Sequence, residues 1–331
     1  MKKIFGPALA LVFFGAVAAY HWKPSQWKDV FVMPFHKDEK TAQLFLKEGE
    51  SLRHFAQKIA EEKLVADRRN LLYWLGRKGA DRSLRAGGYH ISSGPSWYVA
   101  EQLKNAEPSY FSAMIVPGAL PQKPFSLGSD EAQKAALNDL GNFPAALRDI
   151  LPDAAEGRAA FLLPETYSLT EASLPDLVKQ ASAAWYARFG ALLTDKDNAL
   201  RTAVIASLLQ REAQIDSEYP VIAGVIENRL AQNMLLQIDA SVVYAWYLQK
   251  GETLKRVLFK HLGVDSPYNT YKTAGLPPLP VCVPSAQAWE GALAPEKNDF
   301  LYYVARGDGS HRFAKTEAEH QKNVLLYRKN K

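Results

Sequence analysis

Behind Lys2 and Lys3 the chain runs from Ile4 to Tyr20 without a single charge, and no other feature limits its architecture so sharply. An uncharged run of about 17 residues sits at the lower limit for crossing a bilayer as a helix. Two readings fit. In one, residues 1–22 are an uncleaved anchor whose lysines keep the N-terminus in the cytoplasm. Trp22 and Trp27, with Lys23 and Lys28, resemble an interfacial belt and favour this reading. In the other, Ala16-Val17-Ala18 is a small-x-small cleavage site and the run is a removed signal peptide. Either way the remainder is exported. The one cysteine, Cys282, excludes an intrachain disulfide and a Cys-rich zinc cluster.

Residues 23–40, with Pro24 and Pro34 and no helical period, read as a linker. With 331 residues, 47% hydrophobic and 23% charged, the chain has room for one large domain or two ordinary ones. A small α+β unit is expected over residues 41–109. Gln43–Leu46 reads as a strand ending in a turn at Lys47–Glu50. Ser51 is placed to cap a helix carrying Leu52, Phe55, Ala56, Ile59 and Ala60 on one face. A second helix is expected over Asn70–Gly76, then a turn at Ala86-Gly87-Gly88 into a strand. A third helix is expected to be capped by Ser96. A larger mixed α+β domain follows over residues 110–331.

The informative segment of that larger domain is Arg201–Ala213. At about 100° per residue, Val204, Ile205, Leu208 and Leu209 form one apolar stripe, and Glu212 projects from it, four residues after Leu208. Gln210 falls on the opposite side and Arg211 on the flank. An acid on a buried face is costly unless it is paired or stays protonated. Desolvation raises a carboxyl's pKa, which suits a general acid working near neutral pH. The alternative is a structural ion pair, with Arg229 of the next helix as the natural partner. That helix opens at Pro220, where a missing N–H is tolerated, and its stripe is Val221, Ile222, Val225 and Ile226.

Phosphate-loop glycines, paired metal-protease histidines and a Gly-x-Ser-x-Gly elbow are absent, and the seven histidines are scattered. No cofactor or metal is expected. Forty Lys+Arg against 35 Asp+Glu give a net charge of +5, but no basic-aromatic cluster points to nucleic acid. Leu236–Val242, Tyr268–Tyr271 and the Pro-rich Gly275–Pro280 supply amides, a carboxylate, hydroxyls and flat rings from separate segments. That mixture suits a sugar polymer, whose faces stack on aromatics and whose hydroxyls need donors and acceptors.

Taken in order, these segments resemble the MltG-type (YceG-like) endolytic murein transglycosylases. The resemblance is carried by Ala206–Glu212, Val225–Leu230, Leu236–Asp239, Tyr268–Tyr271, Gly275–Pro278, Gly309–Phe313 and Glu319-His320. Pro164-Glu165-Thr166-Tyr167 resembles an upstream block that usually carries Asp where this chain has Glu165. Other departures are Gln210 in place of the first acid of the helix, Ala159-Ala160 in place of Glu-Gly, Ala240 in place of Pro, and Leu279 in place of Gly. The resemblance implies that Glu212 is the catalytic acid, and that Gln237, Asp239, Asn269, Tyr271 and Glu165 contact substrate. It implies a LysM-like subdomain over residues 41–109 and a catalytic domain in the periplasm, on a single-pass inner-membrane anchor. Peptidoglycan glycan strands are the implied substrate and peptidoglycan synthases the implied partners. His311 and His320 are expected to be structural.

Two other readings compete. Gln210 and the altered loops motivate a non-catalytic glycan-binding scaffold. A hydrolase would use Glu212 together with Asp239 as its second carboxylate.

Overall fold

The computed structural model describes residues 40–329. The expected anchor, and all but the last residue of the expected linker, lie outside the described residues. Among the described residues no helix is long and apolar enough to cross a membrane. The fold is mixed α+β and divides into two compact units. One holds the described residues up to Phe111 together with Ser168–Glu171; the other holds Ser112–Tyr167 and residues 172–329.

The first unit begins with β1 (Thr41–Leu46), continues through α1 (Leu52–Glu61) and α2 (Arg68–Lys78), and returns in β2 (Gly87–Ser92) before α3 (Ser96–Asn105). β1 and β2 pair antiparallel from Thr41↔Ser92 to Leu46↔Gly87. Ser51 caps α1 by accepting the His54 amide at 3.3 Å, as its position ahead of an apolar period predicts. Phe55, Ile59, Leu71, Leu75, Tyr89, Ile91, Val99 and Leu103 form the core. Gly87, at φ +144°, lies where a side chain would collide with Pro108. The third helix departs from expectation. Pro95 occupies the cap position, and Ser96 is already helical, fully buried and makes no cap bond. A proline fixed at φ −57° starts the helix without side-chain help.

The second unit holds β3 (Phe111–Met114) and β4 (Thr166–Leu169), strands within which the chain changes unit. Its longer helices are α4 (Asp130–Asn138), α5 (Leu174–Phe189), α6 (Lys196–Glu212), α7 (Tyr219–Ala231), α8 (Asp239–Lys250) and α9 (Ala286–Leu293). The hairpin β5 (Tyr302–Ala305) and β6 (His311–Ala314) follows, then α10 (Glu317–Lys329). Trp185 and Trp289 lie with ring centroids 5.0 Å apart, and Phe161 is 4.9 Å from Trp185. Aromatic pairs of this kind add about 0.5–1.5 kcal/mol each beyond their area burial.

α6 is the central helix, and it is not amphipathic as its sequence period suggests. Every residue from Thr202 to Leu209 is buried. Small side chains at Ala203, Ala206 and Ser207 let neighbours approach the side that would otherwise face water. The Val281 amide donates to Ser207 Oγ at 3.0 Å, and Cys282 Sγ contacts the Ser207 carbonyl at 3.2 Å. α7 and α9 also meet closely, since a Cβ on Gly291 would sit 2.5 Å from Tyr219 Cβ.

Candidate active site

Glu212 is the last residue of α6, half-buried, at the point where the helix stops at Ala213. The C-terminal end of a helix carries partial negative charge, which is unfavourable for a carboxylate. Burial adds to this and pushes the Glu212 carboxyl above its ordinary 4.5, and the negative charge of Asp239 pushes it the same way. Three groups oppose the rise: the Tyr303 hydroxyl, the Ala240 amide in the first turn of α8, and His311. Burial prevails. The result is a carboxyl that holds its proton at higher pH than an exposed glutamate yet keeps some access to solvent.

The residue that grips this carboxyl was not among the candidates read from sequence. Tyr303 Oη donates to Glu212 Oε2 at 2.9 Å. Burial and the nearby Glu212 charge raise the Tyr303 phenol well above its usual range, so it stays a donor. β5 and β6 place it there. Their register pairs Tyr303 with Phe313 and Ala305 with His311, so these four residues share one face of the hairpin. The His311 ring meets Tyr303 edge-on at 5.4 Å. His311 is tied in turn to Glu218, its amide to Oε1 at 2.9 Å and its Nδ1 against Oε2 at 2.6 Å. The sequence offers only the adjacent pair Tyr302-Tyr303 ahead of Gly309–Phe313, which does not say which of the two faces the site. His320 stacks on Tyr302 at 5.2 Å.

Arg229 does not neutralise Glu212. Its Nε donates to the Leu301 carbonyl at 2.6 Å, and its Nη1 to the Leu235 and Leu236 carbonyls at 3.1 and 2.8 Å. Its guanidinium lies over Tyr302, 5.2 Å from the ring centre. The arginine therefore braces the hairpin and the α7–α8 loop. Among the described residues Glu212 has no ion-pair partner.

Asp239 opens α8, where an acid is favoured, and is exposed; the Tyr271 hydroxyl donates to its Oδ1 at 2.7 Å. Burial raises the Tyr271 phenol, and the charges of Asp239 and Glu212 push it the same way. Gln237 is exposed between buried Leu236 and Ile238, with φ +51°, a left-handed conformation that a residue with a Cβ adopts at a cost. Its amide donates to the Thr270 carbonyl at 3.1 Å, which joins the two loops. Asn269 corrects the expectation of a substrate contact. It is fully buried, its Nδ2 donates to the Leu262 and Val264 carbonyls at 2.9 and 2.7 Å, and its Oδ1 accepts the Tyr271 amide at 3.0 Å. It frames the loop and has no amide left to offer. Glu165 is exposed; its carbonyl accepts the Ile115 amide at 3.0 Å, and its carboxylate is not part of the hydrogen-bonded group around Glu212.

The departures from the family pattern also have places. Gln210 Oε1 accepts the Ser285 amide at 2.8 Å, just ahead of α9. An amide oxygen fills that role as a carboxylate would. Ala159 and Ala160 are fully buried, and the Ala160 carbonyl accepts Trp289 Nε1 at 3.1 Å. Leu279 packs beside Gly157.

A cavity of about 310 Å³ is lined by Gln122, Lys123, Lys134, Glu156 and Tyr247 among others and contains none of the predicted site residues. A smaller one of about 70 Å³ touches Arg211 and Ala240. Glu212 lines neither of these two.

The model of the YceG-like family matches residues 44–325. An endolytic murein transglycosylase of Bacillus subtilis (strain 168) is 30% identical over 318 residues, 89% of this chain and 87% of that protein. An endolytic murein transglycosylase of Streptococcus pneumoniae serotype 2 (strain D39) is 34% identical over 173 residues, 50% of this chain and 31% of that protein. A crystal structure of a yceG-like protein from Listeria monocytogenes is 24% identical and covers 86% of this chain and 99% of that one. Its TM-score of 0.52 speaks for the fold alone.

Proposed function

The chain belongs to the YceG-like family, and from that premise we propose that it is a peptidoglycan lytic transglycosylase with Glu212 as its acid and base. One observation carries the assignment of Glu212. Its carboxyl is desolvated, has no ion-pair partner among the described residues, and is held by a phenol at 2.9 Å.

Such a carboxyl can serve both halves of a lyase reaction. Protonated Glu212 donates to the glycosidic oxygen between N-acetylmuramic acid and N-acetylglucosamine as the C1–O bond breaks. The carboxylate left behind then takes the proton from the muramic C6 hydroxyl while O6 bonds to C1, which gives a 1,6-anhydro end. The internal hydroxyl replaces water, so one carboxyl suffices where hydrolysis needs two. Tyr303 holds one carboxyl oxygen in place through both steps. Asp239, Tyr271 and Gln237 are the proposed glycan contacts. Residues 110–331 are the proposed catalytic domain, and Glu165 a contact farther along the strand. Cutting within a strand requires a surface that a polymer can cross, and Glu212's partial exposure supports that.

The rest of the reading is proposed on the sequence. Residues 1–22 anchor the chain in the inner membrane with a cytoplasmic N-terminus, and residues 23–40 link the anchor to a LysM-like subdomain, 41–109, in the periplasm. The β1–β2 ladder with its packed helices supports the subdomain reading. Work beside peptidoglycan synthases would let the enzyme limit the length of nascent strands. Gln210 no longer favours a scaffold, since it binds the Ser285 amide and lies outside the Glu212 group.

The test uses uncrosslinked glycan strands, wild type and Glu212→Gln, with product ends identified by mass spectrometry. Internal cuts with 1,6-anhydromuramic ends are expected, and loss of general acid–base catalysis should slow the variant by about 10²–10⁴-fold. Reducing ends would make the reaction a hydrolysis and Asp239 the second carboxylate. Strands bound but uncut by folded wild type would restore the scaffold.

A further inference from the structure

The segment after α8 carries an apolar tip among cations. Phe259 is 91% exposed and its neighbour Leu258 46%, although a water-facing phenylalanine gains nothing from solvent. Lys250, Lys255, Arg256 and Lys260 surround them in sequence, all exposed and none in an ion pair among the described residues; Glu252 is the one acid in that stretch. The tip is built, not loose. The Leu258 amide donates to His261 Nδ1 at 3.0 Å, the His261 amide to the Leu258 carbonyl at 2.8 Å, and the Leu262 amide to the Phe259 carbonyl at 3.2 Å. His261 is itself buried, with its ring 4.8 Å from that of Trp246.

We propose that this turn is a membrane-contact site, in which Leu258 and Phe259 enter the interface of a bilayer while the four cations meet anionic phospholipid headgroups. Exposed apolar side chains flanked in sequence by exposed Lys and Arg match the apolar and charged sides of that boundary. The turn is also tied to the glycan site. Asn269 donates to the Leu262 and Val264 carbonyls directly behind it and accepts the amide of Tyr271, whose hydroxyl bonds Asp239. Contact with the bilayer would thus hold the loop carrying Tyr271 at a set height above the membrane. The inference stands apart from the chemistry at Glu212, so either can fail alone.

The test places an environment-sensitive fluorophore on Phe259→Cys in the full chain. Cys282, 1% exposed, does not compete for the label. A second preparation carries the label at Asp149→Cys, an exposed position elsewhere in the unit. Both are mixed with nanodiscs of phosphatidylglycerol and phosphatidylcholine, and with nanodiscs of phosphatidylcholine alone. The label at 259 is expected to shift to the blue and to be quenched by nitroxide-bearing lipid in anionic discs only, and the label at 149 in neither. Raised salt, or Lys255→Gln with Arg256→Gln and Lys260→Gln, should abolish the shift. Aqueous emission at 259 in anionic discs would overturn the proposal. So would an equal shift in neutral discs, or the same shift at 149.

Discussion

Tyr303→Phe removes the one side-chain hydrogen bond seen on the Glu212 carboxyl among the described residues. The substitution removes one oxygen and leaves the ring among His311 and Phe313. The lost bond is 2.9 Å long and, once Glu212 ionises, charge-assisted. Such bonds contribute about 1.5–3 kcal/mol, and the partial exposure of Glu212 favours the lower end, since water can replace part of the loss. At about 1.4 kcal/mol per unit, the Glu212 pKa should rise by about one further unit. Glu212 must be protonated for bond cleavage, so the alkaline limb of the kcat/KM profile should move about one unit towards higher pH. Stability gives an independent reading. A carboxyl whose folded pKa lies above its unfolded value contributes fully below the unfolded value and loses that contribution as pH rises through the folded one. The variant carries the larger shift, so its stability deficit in urea unfolding should grow by about 1.4 kcal/mol between pH 4 and a pH above both folded values. Superimposable alkaline limbs together with a deficit constant in pH would refute the role given to Tyr303.

Glu212→Gln should unfold at higher urea than wild type at neutral pH, with the gain vanishing near pH 4, because only the carboxylate bears the desolvation cost. Gln210→Glu puts an acid beside the N-terminus of α9 and in the last turn of α6, two helix-end effects of about 0.3–1 kcal/mol and opposite sign, so stability in urea should change little and product formation should not change. New activity in that variant would show that the position does more than cap α9. Asn269→Ala leaves two buried carbonyls without their donor and should cost about 2–4 kcal/mol by denaturant titration, with turnover per folded molecule largely kept. Gln237→Gly and Gln237→Ala remove the same side-chain amide, so both should weaken glycan binding equally, while the glycine variant is about 1 kcal/mol more stable at φ +51°. Unequal binding by the two would point to the backbone conformation and away from the amide.

The elements that could be read from the chain are those whose stabilising contacts are local. Ser51 caps α1 with the amide three residues on, and Pro220 stands in the first turn of α7, because both signals act within one helical turn. Glu212 could be singled out on the same footing, since its position relative to Leu208 is a matter of helical period. Local signals fail where a partner arrives from elsewhere. Ser96 resembles a cap and is overruled by Pro95, and the stripe on α6 disappears because α9 and the 281–283 segment cover the face that period alone assigns to solvent.

From its sequence alone this chain determines a carboxylate at the end of an apolar helix and the helices around it. What that carboxylate becomes is a tertiary matter. Tyr303 reaches it from 91 residues away, through a hairpin whose register decides which tyrosine of the Tyr302-Tyr303 pair faces inward. Arg229, equally plausible as a partner from its place on α7, is drawn off by three backbone carbonyls that must be satisfied once buried. Asn269 is withdrawn from solvent for the same reason. Periodicity specifies where a side chain points along its own helix. Which donors and charges it meets there depends on segments far off in sequence, and their positions are set only when the whole core packs.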